Sequence, residues 1–190
     1  MSGPLRSRGA DLFVSGALVE RRAAPKVVQT VVFPSAHTTL TNPTHPALDE
    51  EQAQALLASA REARQHAYVP YSHFPVGAAI LAEDGTVFTG CNVENASYGL
   101  TNCAERTAVF KAVSEGRAAF RAIAVVGPQD DLLCAPCGAC RQVMYEFGPE
   151  PVLVTPAGPD QPGGVRMTTV GALLPGAFDA AALPARQEGA

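Results

Sequence analysis

VGAAILAEDGTVFTGCNVEN, residues 76–95, joins two apolar runs through Asp84-Gly85, a dipeptide suited to the tight turn of a β-hairpin. Working outward from this hairpin, DEEQAQALLASAREARQHA (49–67) is rich in helix formers, opens on acids and closes on Arg64 and His66, as the helix dipole favours. On the other side, CAERTAVFKAVSEG (103–116) reads as a helix stopped by Gly116. FRAIAVVG (120–127) is a nearly all-apolar strand of the kind buried on both faces. A loop, PQDDLLCAP, leads to the helix CGACRQVMYEFG (137–148), stopped by Gly148, and then to the strand PVLVT (151–155). The order α-β-β-α-β-α-β predicts an α/β layer structure with helices over a mixed sheet. MTTVGALLPGAF (167–178) has room for a short helix.

The 190 residues are 47% apolar, enough for a substantial core. No run approaches the roughly 20 apolar residues that span a bilayer, so no membrane partner is expected. DLFVSGALV (11–19) is short and interrupted, and lacks a cleavage signature. It reads as no secretion signal, and the cytoplasm is the expected compartment.

Residues 1–46 hold Pro4, Pro25, Pro34, Pro43 and Pro46 and are expected to be a flexible Pro-rich extension, with KVVQTVVF as a candidate short strand. The domain proper is expected over 47–180, followed by an Ala-rich tail over 181–190. The extension carries five Arg/Lys against two Asp/Glu, leaving nine against sixteen for residues 47–190. An acidic body of this kind has no basic stripe to neutralise phosphates, which argues against nucleic acid as a partner.

Five cysteines, Cys91, Cys103, Cys134, Cys137 and Cys140, fit a disulfide framework poorly. Cys137 and Cys140 form C-x-x-C where a loop enters a helix, a spacing that suits one metal ion or a redox pair. Cys103 also opens a helix. Three thiols without an obvious fourth protein ligand point to zinc with one open position for water; the competing arrangement is a structural site completed by Cys91, Cys134 or a histidine. Glu105, two residues beyond Cys103, would lie beside that water, where a proton shuttle belongs, although an acid in a first helical turn also serves the dipole alone. Three thiolates around Zn²⁺ leave a net charge near −1. Two helix N-termini and Arg106 can compensate it; a solvated surface arginine is the plainer alternative.

CAER (103–106), PCGACRQVMYEF (136–147), YSHFPVGAAI (71–80), GCNVENASYG (90–99) and LLPGAF (173–178) together resemble the small, homotetrameric type of cytidine deaminase, from the first helix to Phe178. The resemblance implies a three-layer α-β-α cytidine deaminase-like fold with a mixed central sheet, and one Zn²⁺ per subunit held by Cys103, Cys137 and Cys140. It implies hydrolytic deamination of cytidine and 2'-deoxycytidine in pyrimidine salvage, with zinc-activated water attacking C4 and Glu105 moving the protons. Asn92, Val93 and Glu94 would meet the ribose and Phe74 the nucleoside, while the backbone of Ala104 would touch the pyrimidine edge. Tyr98 and Phe178 would complete active sites across subunit boundaries. Cys91 and Cys134 match no ligand position, and His73 is not needed as one. Three other readings compete: a deaminase of cytosine nucleoside analogues, a non-catalytic zinc-stabilised interaction module, and a nucleic-acid-editing deaminase.

Overall fold

Alternation along the central strands decides which helix covers which face of the sheet. The computed structural model describes residues 48–184; the expected extension with its candidate strand, and residues 185–190 of the tail, lie outside the described residues. The elements are α1 (Glu50–Arg64), β1 (Gly77–Ala82), β2 (Val87–Cys91), α2 (Ala104–Ser114), β3 (Phe120–Val126), α3 (Gly138–Tyr145), β4 (Val152–Pro156), β5 (Val165–Thr169) and α4 (Val170–Leu173), with 3₁₀ turns at Tyr98–Leu100 and Ala180–Ala182. The strands lie in the order β2-β1-β3-β4-β5, with β3 and β4 parallel and every other pair antiparallel.

Ala78, Ile80 and Ala82 of β1 and Ile123 and Val125 of β3 face Ala104, Ala108, Val109 and Ala112 of α2 and Cys140 and Met144 of α3. The intervening Ala79, Ala122, Ala124 and Val126 face Ala53, Leu56, Leu57 and Ala60 of α1. A period of two thus builds two cores and three layers, α-β-α. β3 is buried on both sides, as its composition predicts.

Local signals set the element ends. Asp49 caps α1 by accepting from the Gln52 amide at 2.7 Å, and Gln52 Oε1 accepts from the Asp49 amide in return, a reciprocal capping box. In the β1–β2 turn Gly85 has φ 85, a conformation that glycine adopts without steric cost. The strand β5 is an addition to the order read from sequence: VRMTT lies at the sheet edge, is largely exposed, and is too short and polar a run to stand out.

Two glycines let helices lie close on the sheet. A Cβ on Gly77 would overlap the Ala60 carbonyl and Arg64 of α1. On the opposite face, a Cβ on Gly90 would sit 2.5 Å from the Ala108 nitrogen and 2.6 Å from the Ala104 oxygen of α2. Gly90→Ala is therefore expected to push α2 outward and destabilise the protein by about 1–3 kcal/mol, as overpacking does. Urea unfolding checks this: a midpoint equal to the parent's would show that α2 does not need the close approach.

Candidate metal centre and active site

α2 and α3 begin with the same device. Cys103 is the N-cap of α2 (φ −75, ψ 156) and Cys137 the N-cap of α3 (φ −68, ψ 165), and neither side chain caps its own helix. Their sulfurs are therefore free to turn away from the helix amides and toward each other. Cys103 Sγ and Cys137 Sγ lie 3.9 Å apart, and together with Cys140 Sγ all three fall within 4.8 Å of one another. Four-coordinate zinc with Zn–S bonds of about 2.3 Å places sulfurs about 3.8 Å apart, so the thiols need close in by no more than about 1 Å to hold the ion. No fourth Cys, His, Asp or Glu among the described residues joins the group. Cys91 instead donates to the His66 carbonyl at 3.3 Å, and Cys134 packs against Gly127; both are half-buried.

The electrostatics favour negative sulfur. Arg106 Nη2 donates to Cys103 Sγ at 3.4 Å and to the Thr101 carbonyl at 3.1 Å. A hydrogen bond from Cys140 and the Arg106 guanidinium bring the Cys103 thiol down to about 5. Cys140, the donor in that bond and fully buried, is pushed far up in turn. The neighbouring Cys103 raises the Arg106 pKa. The arginine is thus tied to the thiol cluster rather than solvated.

Glu105, 4% exposed in the first turn of α2, is the only buried charged residue among the described residues. Burial raises its pKa and the charge of Cys103 adds to this, against the pull of its own backbone amide, the Cys140 thiol and Arg106. A carboxyl displaced toward neutrality is better suited to accept a proton and return it.

Val93 joins the cysteine helix to the segment expected to meet a sugar. Its amide donates to the Asn102 carbonyl at 2.9 Å and its carbonyl accepts from the Asn102 amide at 3.0 Å, one residue before Cys103. Flanking it, the Tyr68 amide donates to the Asn92 carbonyl and the Glu94 amide to the Tyr68 carbonyl. Asn92 Oδ1 accepts from the Val76 amide at 2.8 Å and its Nδ2 donates to the Phe74 carbonyl at 2.9 Å. Glu94 Oε2 accepts from the amides of Tyr71 and Ser72 at 2.9 and 3.2 Å; with Ser72 as the main cause, its pKa is lowered. These two side chains therefore hold the 71–76 loop. That loop carries Phe74, half-exposed, and His73 in the left-handed region at φ 54. An open cleft of roughly 360 Å³ is lined by Tyr71, Ser72, Glu94, Tyr98 and Thr101.

Of the residues singled out in the sequence, Cys103, Cys137, Cys140, Glu105 and Arg106 form one cluster, with Ala104 buried among them on α2. Asn92, Val93, Glu94 and Phe74 form a second group, linked to the first through Asn102. Tyr98, 75% exposed, lines the same cleft as Glu94 with its ring 6.0 Å from that of Tyr71, whereas Phe178, 62% exposed, joins neither group. The Phe178 carbonyl accepts from Gln142 Nε2 at 2.8 Å. Sequence reasoning missed Asn102 and Arg141; the arginine immediately after Cys140 was the only available signal for the latter.

The family profile described as the cytidine and deoxycytidylate deaminase zinc-binding region matches residues 50–155, which contain both clusters. The chain belongs to the cytidine and deoxycytidylate deaminase family. It is 56% identical over 127 residues to a cytidine deaminase of Sporosarcina psychrophila, covering 66% of this chain and 90% of the relative. It is 48% identical over 129 residues to that of Mycobacterium tuberculosis, covering 68% and 91%. A crystal structure of cytidine deaminase from Burkholderia pseudomallei is similar at TM-score 0.58 and 55% identity, over 65% of this chain and 97% of that one. The three thiols thus lie within a region that the family's own description calls zinc-binding.

In chelator-treated protein, Cys103 is expected to be alkylated with a midpoint well below the ordinary thiol value of about 8.5, near pH 5. Arg106→Gln should move that midpoint upward. Because the folded pKa is depressed, this thiolate stabilises the metal-free fold above the unfolded value, and the contribution is lost as pH falls through about 5. Residue-resolved alkylation by mass spectrometry checks it, and a midpoint near 8.5 would contradict the arrangement.

Proposed function

We propose that this protein catalyses hydrolytic deamination of cytidine and 2'-deoxycytidine to uridine and 2'-deoxyuridine, releasing ammonia, in cytoplasmic pyrimidine salvage. The observation that carries this is the buried, proton-competent Glu105 beside a three-thiol cluster, in a chain of the deaminase family. Cys103, Cys137 and Cys140 would hold one Zn²⁺ per subunit. When bound, zinc supplies the Lewis acidity that makes water nucleophilic at neutral pH.

The chain's residues account for the remaining work. Glu105 takes a proton from the attacking water and delivers it to ring N3 as the C4–O bond forms. It then takes the remaining proton from the new C4 hydroxyl and gives it to the amine as the C4–N bond breaks and the C4 carbonyl forms, so that water and nucleoside leave as uridine and ammonia. Arg106 and the N-termini of α2 and α3 offset the thiolate charge. The Ala104 backbone, at the first position of α2, would meet the pyrimidine edge.

Asn92 and Glu94 would bind the ribose hydroxyls beside Val93. A carboxylate has room for about four hydrogen bonds, so the amides of Tyr71 and Ser72 leave Glu94 acceptor capacity. An anionic residue at the sugar suits a free nucleoside better than a phosphorylated or polymeric one, whose charge would be repelled. Phe74 would pack against the nucleoside. The protein would act as a homotetramer in which Tyr98 and Phe178 complete neighbouring sites; their exposure, with that of Leu100 and Phe110, supports such an assembly.

Loss of absorbance at the cytosine band on mixing zinc-quantified protein with cytidine tests the reaction. Glu105→Gln is expected to keep its zinc and lose at least about 10² to 10⁴-fold in rate. Near-parental turnover by a zinc-loaded mutant would remove Glu105 from the chemistry. Cys137→Ala is expected to lose zinc and stability, since metal binding is part of the folding free energy; stoichiometric zinc retained in it would overturn that ligand assignment.

A further inference from the structure

We propose that Arg141 is a positioning residue that braces the Cys137 turn against α4, setting the geometry in which the thiols capture metal. The proposal rests on the zinc reading above. Arg141 Nε donates to the Pro136 carbonyl at 2.8 Å and Nη1 to the Leu173 carbonyl at 3.0 Å, while its backbone amide donates to the Cys137 carbonyl at 3.0 Å. One guanidinium therefore spans the residue before Cys137 and the end of α4. Pro136 is fully buried, so removing the guanidinium strands its carbonyl away from water.

α4 is a fixed post for this brace. The Val170 amide donates to the Pro151 carbonyl at 3.0 Å and the Gly171 amide to the Pro149 carbonyl at 2.9 Å, and Val170 is fully buried. At the Cys137 turn itself, in contrast, Cys137 is exposed, its side chain caps nothing, and nothing beyond the chain neighbours and the helix's own backbone lies within 4 Å of the Cβ position of Gly138.

The two metal-bearing helices show the same logic. On α2, Arg106 is three residues after the N-cap cysteine and reaches back to the carbonyl of Thr101, two residues before it. On α3, Arg141 is four residues after the N-cap cysteine and reaches back to the carbonyl one residue before it. Arg106 also touches a sulfur, whereas Arg141 acts through the backbone and so positions rather than ligates or balances charge. Groups that orient metal ligands in this way typically change metal affinity or activity by about 10 to 100-fold when removed.

Two readouts test the proposal: zinc release from loaded protein to excess chelator, and hydrogen exchange over residues 133–141 of the metal-free protein. Arg141→Ala should release zinc about 10 to 100-fold faster and exchange faster over that segment. Arg141→Lys, which can replace one contact but not the fork, should fall between. Gln142→Ala, which removes only the tether to Phe178, should release zinc at the parental rate. Parental release and exchange in folded Arg141→Ala would overturn the proposal. Should that variant not fold, Arg141→Gln decides on the same two rates. A parent protein holding no zinc would refute the metal reading itself, and exchange in the metal-free protein would still decide the role of Arg141.

Discussion

Three sulfurs within 4.8 Å of one another cannot all be anionic without nearby positive charge, and the half of the molecule that carries the candidate site is organised around that constraint. At an effective dielectric constant near 20, two like charges 4 Å apart repel by about 4 kcal/mol. Without metal, that conflict pulls the thiols apart in proton affinity: a hydrogen bond from Cys140 and the Arg106 guanidinium lower the pKa of Cys103, while Cys140 is raised and favours keeping its proton. A dication would take the place of that proton. The same buried setting raises the pKa of Glu105, so the device that concentrates negative charge on sulfur also primes the neighbouring carboxyl to hold a proton.

Backbone geometry brings the sulfurs together. Cysteine at the N-cap of both α2 and α3 places two thiols at helix ends carrying partial positive charge, and Gly90 lets α2 lie against the sheet so that its end meets the start of α3. The paired backbone of Val93 and Asn102 then fixes the 92–94 segment to the residue before Cys103. Chemistry and proposed sugar recognition thus share one rigid connection. Asn92 and Glu94 extend it to the 71–76 loop by binding that loop's amides and carbonyl.

Much of this was legible in the sequence because its signals are local. The Asp84-Gly85 turn, the apolar run at 120–127, the first helix opening on acids and the helix-stopping Gly116 and Gly148 each depend on neighbouring residues, and each lies where expected. The cysteine spacing and the placement of Glu105 two residues after Cys103 were equally readable. β5 was not, because VRMTT, a largely exposed edge strand of five residues with only two apolar ones, is too short a pattern to separate from a loop. The intrachain work of Asn92 and Glu94 was also hidden, since their partners are 16 to 23 residues away. Arg141 escaped for the same reason: its Leu173 contact spans 32 residues.

The central claim is an open, three-thiolate zinc centre beside Glu105. X-ray absorption spectroscopy of the zinc-loaded protein tests it most directly. The account predicts three sulfur neighbours at about 2.3 Å and one lighter oxygen neighbour near 2.0 Å. Four sulfurs, or a nitrogen closing the fourth position, would contradict it, for a protein-saturated metal would leave no coordination position for water next to Glu105.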